Sequence, residues 1–147
     1  MCKSTINSIP LVFAITGHRD IANKDIECLK EKVGNVFSEY KTKYPNTDIV
    51  LLTALSEGAD ILVAEVALNN NILVNVILPF EKEKYLEGFE DKDEVVKFND
   101  LISQANNEIT LEPKENSGLC YDNLGKYLVN NCNILLALWD GENNSKI

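Results

Sequence analysis

Four short apolar runs constrain this chain more than any other feature: Leu11–Thr16, Asp48–Thr53, Ile72–Leu78 and Asn133–Trp139. They are β-branched or aromatic in character, and stretches with helical periodicity separate them. Strands that are apolar on both faces belong to a sheet covered on both sides, and parallel sheets joined by crossover helices are built that way.

The intervening segments fit the crossovers. Pro10 and Gly17 bound the first strand, and Asn23 is positioned to cap a helix of about 20 residues. Its apolar stripe is Ile26, Leu29, Val33, Val36, Phe37 and Tyr40, and Pro45 ends it. A second helix is expected from about Gly58 to Leu68, broken by Asn69-Asn70-Asn71, and Pro79 closes the third strand. A polar stretch leads to a helix over about Asp93–Ala105, then a weak strand at Glu108–Leu111. A last helix over about Tyr121–Asn131 precedes the final strand.

The expectation is one α/β domain over residues 1–147, a three-layer Rossmann-like sandwich with a mostly parallel five-stranded sheet of order 3-2-1-4-5. That order reverses between the first and fourth strands, so a ligand is expected there, outside the carboxyl ends of the strands.

The chain carries 14 Lys+Arg against 23 Asp+Glu, a net −9. An acidic surface disfavours nucleic acid and anionic membranes, so nucleic acid is expected to be an unlikely partner. The imbalance is uneven, however: residues 1–47 hold seven basic and five acidic groups, the remainder −11. A small anion finds the least hostile field near Arg19. No apolar run is long enough for a signal or a span, which points to a cytoplasmic chain with no membrane partner. Cys2, Cys28, Cys120 and Cys132 show no CxxC spacing and read as reduced thiols, with Cys28 and Cys132 on apolar faces. With a single His, a His-rich metal site is excluded, and no metal or other cofactor is expected.

Three strand ends are candidates for chemistry. Thr16-Gly17-His18-Arg19-Asp20 leaves the first strand, with Gly17 allowing close backbone approach and Arg19 offering a forked donor for phosphate or carboxylate. As a plain turn, Arg19 and Asp20 would instead satisfy caps and each other. Ser56-Glu57-Gly58-Ala59-Asp60 follows the second strand. Ser56 and the Gly58 amide could line a phosphate site, with Glu57 or Asp60 accepting from ribose hydroxyls. The same residues also read as a helix start, with Ser56 as N-cap and Glu57 and Asp60 favoured by the dipole. Trp139-Asp140-Gly141 ends the last strand, where Trp139 either stacks on a base or covers the core. Tyr85, Phe89 and Phe98 read as packing residues, or as part of a lid hinged at Gly88, and the acidic run Glu87–Glu94 reads as a solvated face. No catalytic constellation, Walker loop or GxGxxG is present.

Taken in order, LVFAITGHRDI, LLTALSEGADILVAEVAL, VNVILPF with Tyr85 downstream, and NILLALWDG resemble the SLOG superfamily. These are Rossmann-like domains related to the DNA-processing Smf proteins and the LOG phosphoribohydrolases. The resemblance implies a pocket for a nucleotide or nucleotide-derived small molecule, as in SLOG sensors of bacterial defence and signalling systems. Gly17, His18 and Arg19 would form the first ligand loop, Ser56 to Asp60 the second, and Asp140-Gly141 the start of the third. It also implies pairing into a homo-oligomer. The PGGxGTxxE motif of the LOG enzymes is absent, as is the Gly-Gly-Thr segment that usually follows the last strand. The expectation is therefore a binding module without its own catalysis, a short version of the domain or a fragment. One alternative is a LOG-like nucleoside-monophosphate phosphoribohydrolase with Glu57 or Asp60 as acid or base. The other is Smf-like single-stranded DNA binding, which the −9 charge opposes.

Overall fold

The computed structural model describes residues 9–139. Five strands and five helices follow in the order β1 (Leu11–Gly17), α1 (Asn23–Lys43), β2 (Ile49–Thr53), α2 (Ala59–Asn69), β3 (Leu73–Leu78), α3 (Lys82–Leu86), α4 (Lys92–Ser103), β4 (Asn107–Thr110), α5 (Ser117–Asn130) and β5 (Ile134–Leu138). All strand pairs are parallel, as a Rossmann-like sandwich requires.

The sheet order is β4-β3-β2-β1-β5, which corrects the expected 3-2-1-4-5. Both orders satisfy right-handed crossovers. Composition separates them, because the expected order would place β4 between two other strands. Asn107-Glu108-Ile109-Thr110 is short, polar and largely exposed, so it suits only an edge. The chain thus steps outward from β1 to β4 and returns across the sheet to β5. The reversal lies between β1 and β5, not between the first and fourth strands. Handedness then puts α1, α2 and α4 on one face and α5 on the other.

Phe13 of β1 packs edge-on against Phe37 of α1, ring centroids 5.4 Å apart, and both side chains are fully buried. Between α1 and α4 lies α2, apolar almost all round, with Ile61, Leu62, Val63, Ala64, Val66 and Ala67 buried. Such a helix is held by its surroundings more than by an amphipathic stripe. The asparagine run ends it as expected. Asn71 adopts φ +58, the Ile72 N–H donates to the Ala67 carbonyl (2.9 Å) and the Asn71 N–H to Leu68 (3.1 Å), a Schellman motif. Lys41 Nζ donates to the Asn70 carbonyl at 2.6 Å and ties the ends of α1 and α2 together.

Local corrections follow the hydrogen bonds. Ala22, not Asn23, holds the N-cap position of α1. Helix α4 begins a residue early because Asp91 caps it through the Asp93 N–H (2.8 Å), and α5 begins at Ser117 because Asn116 accepts from Leu119 (2.9 Å). The short α3 lies inside the stretch read only as polar, and Tyr85 anchors it. The buried rings of Phe80, Tyr85 and Phe98 and the half-buried ring of Phe89 form one cluster, with contacting centroids 5.7–6.1 Å apart. Cys120 is buried and Cys132 half-buried, but Cys28 is exposed: it falls on the Lys24–Lys32 side of α1, away from the apolar stripe. Among the described residues no helix is long and apolar enough to cross a membrane.

Candidate functional site

The carboxyl end of β1 runs into Gly17, His18 and Arg19, and that of β2 into a strained turn before α2. Leu55 holds φ +53 with its side chain fully buried, and Gly58 holds φ +84. The first conformation costs a bulky residue of the order of 1–2 kcal/mol, and the second is open mainly to glycine. Space enforces the choice as well. A Cβ on Gly58 would overlap the Arg19 carbonyl oxygen and lie 2.6 Å from the His18 carbonyl oxygen. A Cβ on Gly17 would meet that of Ala59 at 2.5 Å. The two glycines let the loops touch, and the Ala59 N–H donates to the His18 carbonyl at 3.0 Å across the contact.

The first two strand-end loops are therefore one unit, as their placement at the sheet edge implied. In the second loop the amides of Ser56, Gly58 and Ala59 are not open donors, however. Ser56 is not the N-cap of α2: Gly58 is, and the Ser56 N–H donates to Asp60 Oδ2 at 3.3 Å. The Gly58 N–H, expected to face phosphate, donates to Glu94 Oε1 at 3.1 Å. The Glu57 carboxylate, 7% exposed, accepts from Arg19 Nη2 (2.5 Å) and from the N–H groups of Glu90 and Asp91 (both 2.9 Å). Arg19 also donates to the Gly88 carbonyl at 3.0 Å. The acidic run 87–94 is thus partly solvated, but Glu94 and the 90–91 backbone are tied to the site. Sequence reasoning had no signal for that pairing, since 36 residues separate Glu94 from Gly58.

Two cavities flank this bridge, and Arg19 lines both. The smaller, about 340 Å³, opens at the ends of β1 and β2, where Thr16, Gly17, Ser56 and Asp60 meet Tyr85, Phe89 and Tyr121. The larger, about 610 Å³, lies over α2 between α1 and α4 and carries Lys30, Lys92 and Lys97 beside six carboxylates. His18 contributes its backbone to the loop contact and lines neither cavity. Trp139 is exposed at the same edge, since Leu138 pairs with Gly17, but it also lines neither. Asp140 and Gly141 lie outside the described residues.

Burial governs the titrating groups of the small cavity. Desolvation pushes the Asp60 carboxyl up to about 6, against hydrogen bonds from Ser56, Ala54 and Thr53 that favour its charged form. Burial first, then the negative Asp60, holds the Tyr85 phenol far above its ordinary range, so it remains a donor. Burial also raises Tyr121, against the pull of Arg19. Every buried side-chain polar atom among the described residues has a partner. With Glu57 held by three donors and Asp60 fastening its own turn, both act first as scaffolding. Among the described residues no group of three His, Cys, Asp or Glu side chains is placed to hold a metal ion.

Comparison with solved structures then places the architecture. The chain superposes on DNA processing protein A (DprA) of Helicobacter pylori, a structure described for its single-stranded DNA binding mode, with a TM-score of 0.60 and 14% identity over 91% of the chain. It also superposes on DprA of Streptococcus pneumoniae, with a TM-score of 0.54 and 14% identity over 87%. This chain has the fold of the matching part of DprA. The Rossmann-like fold expected from the ordered motifs is therefore present, and DprA shares it. The chain spans 56% and 41% of those two proteins. No protein-family model matches the sequence, and no curated protein matches it.

One expectation is corrected by this likeness. Net charge had made nucleic acid an unlikely partner, yet a protein with the DprA fold binds single-stranded DNA. Total charge is too coarse a criterion, because a strand meets a local surface within about 10 Å of its phosphates, not the whole molecule. Neither neighbour's description speaks for a small nucleotide-derived ligand, and the DNA-binding alternative gains where the sensor reading does not.

Proposed function

We propose that this chain binds single-stranded DNA at the carboxyl edge of its sheet, with Arg19 on a backbone phosphate and a base against Tyr121 and Phe89. The observation that carries the reading is the position of Arg19: the guanidinium stands at the mouth of an aromatic-lined cavity in a DprA fold, its side chain 56% exposed.

The chemistry supports that use. Single-strand sites combine a cation that follows the backbone with aromatic faces on which bases stack, each stack contributing about 1–3 kcal/mol. Tyr121 is 46% exposed, held edge-on by Phe80 at 5.7 Å between centroids, and so offers a face without collapsing. A cavity of about 340 Å³ is small for a ligand site, large enough for a single nucleotide unit and too small for a duplex.

Fluorescence anisotropy with a labelled oligothymidylate at low salt tests the proposal. Binding is expected, weakened about 5- to 150-fold by Tyr121→Ala, as loss of one stack implies. Arg19→Ala should also weaken it. Equal binding by the wild type and both variants would place the strand elsewhere. A mononucleotide panel is the control arm, and a response there without oligonucleotide binding would contradict the proposal.

A further inference from the structure

The arrangement around Glu57 goes one step beyond that reading, and rests on it. Glu57 is a buried carboxylate lining the larger cavity beside Arg19, which lines both, and its partners are one guanidinium and two successive backbone N–H groups. These come from Arg19 after β1 and from Glu90 and Asp91 before α4. A guanidinium with two successive backbone amides is a donor set that proteins aim at phosphate oxygens. Here a side chain of the protein itself fills it. The match in charge and valence is close: a carboxylate and a phosphodiester each carry one negative charge on two terminal oxygens.

We infer that Glu57 is an internal competitor for the strand's phosphate: in the free protein it holds Arg19 and the 88–91 loop, and a bound phosphodiester takes its place on the same donors. The side chain has room to leave, because Glu57 and Arg19 both line the 610 Å³ cavity over α2. The backbone does not need to move, since Gly58 is locked against the Arg19 carbonyl. Loop 88–91 has no other side-chain tie to the strand ends than Glu57 and Arg19 among the hydrogen bonds described. Exchange of the anion therefore moves the tie of this loop from Glu57 to the bound strand, at the segment whose Gly88 and Phe89 line the smaller cavity and whose Glu90 and Asp91 line the larger. Glu94 on the Gly58 N–H repeats the device a turn away, its carboxylate shared with Lys97 at 3.6 Å.

The test is Glu57→Gln in the full chain, with oligothymidylate anisotropy and thermal unfolding read side by side. The amide can still accept from a backbone N–H but no longer matches the charge of Arg19. Competition predicts binding at least 3-fold tighter than wild type together with a lower melting temperature, and loss of that gain in the Arg19→Ala/Glu57→Gln double variant. Should Glu57→Gln fail to fold, Glu57→Asp, which retracts the carboxylate by one methylene, is expected to tighten binding in the same sense. Unchanged or weaker binding by a folded variant, with wild type still bound through Arg19, overturns the competitor role and leaves the DNA-binding reading standing. No oligonucleotide binding by any form overturns both.

Discussion

Replacing Gly58 by alanine tests the contact on which the site is built. The residue sits at φ +84, where an L side chain costs about 1–3 kcal/mol. The new Cβ would lie 2.6 Å from the His18 carbonyl oxygen and closer still to that of Arg19, and both are backbone atoms that no rotamer change can move aside. Restoring an ordinary contact of about 3.4 Å to the nearer of these oxygens requires a shift of roughly 1.1 Å between the two loops. That shift strains the 3.0 Å bond from the Ala59 N–H to His18, a loss of about 1 kcal/mol. The sum is about 2–4 kcal/mol, or a fall of about 5–15 °C in melting temperature for a chain of this length. Gly34→Ala is the matched control. Its Cβ would meet Val66 Cγ1 at 3.7 Å inside helix α1, so alanine should stabilise by up to about 1 kcal/mol. Thermal unfolding followed by circular dichroism reads both variants. A Gly58→Ala protein as stable as wild type would refute the locked-loop reasoning.

Two further outcomes follow from burial. Asp60 titrates near 6 in the folded protein and near 3.8 when unfolded, so the native state holds the extra proton between those values. Stability from this group therefore falls as pH rises from about 4 to 6, by roughly 3 kcal/mol, then levels off; Asp60→Asn should flatten that part of the pH–stability curve. Phe37→Ala should cost about 3–5 kcal/mol in chemical denaturation, because its ring is fully buried against Phe13 and alanine leaves a cavity.

How much of this was legible in the residues depends on the range of the interaction that decides it. Strands β1, β2 and β3 announce themselves as apolar runs because most of their residues are buried, and β5 is as apolar although Leu135 on it is 46% exposed. The edge position of β4 was also written in the sequence: Asn107 and Glu108 are edge residues, and weighing them against the sheet interior excludes the order 3-2-1-4-5. Helix starts at Asp91 and Asn116 depend on a single side-chain hydrogen bond each, so periodicity alone misplaced them. At the site, Gly17, Arg19 and the Ser56–Asp60 turn were found because glycines and an arginine at strand ends carry local signals. What those residues hold was not visible. Glu57 closing on residues 88–91, and Glu94 filling the Gly58 amide, are contacts between segments more than 30 residues apart. Nothing in either segment's own pattern encodes its partner.

The most direct test of the central claim is the salt dependence of oligonucleotide binding. Each phosphate neutralised on a single strand contributes about −0.7 to the slope of log K against log salt. Arg19 acting alone therefore gives a slope near −0.7, and Arg19 with Lys30, Lys92 and Lys97, the four cations lining the two cavities, gives about −3. The account predicts measurable binding of oligothymidylate at low ionic strength with a slope between those limits, made shallower by Arg19→Ala. An absence of binding at low ionic strength, or a slope that Arg19→Ala leaves unchanged, would contradict it.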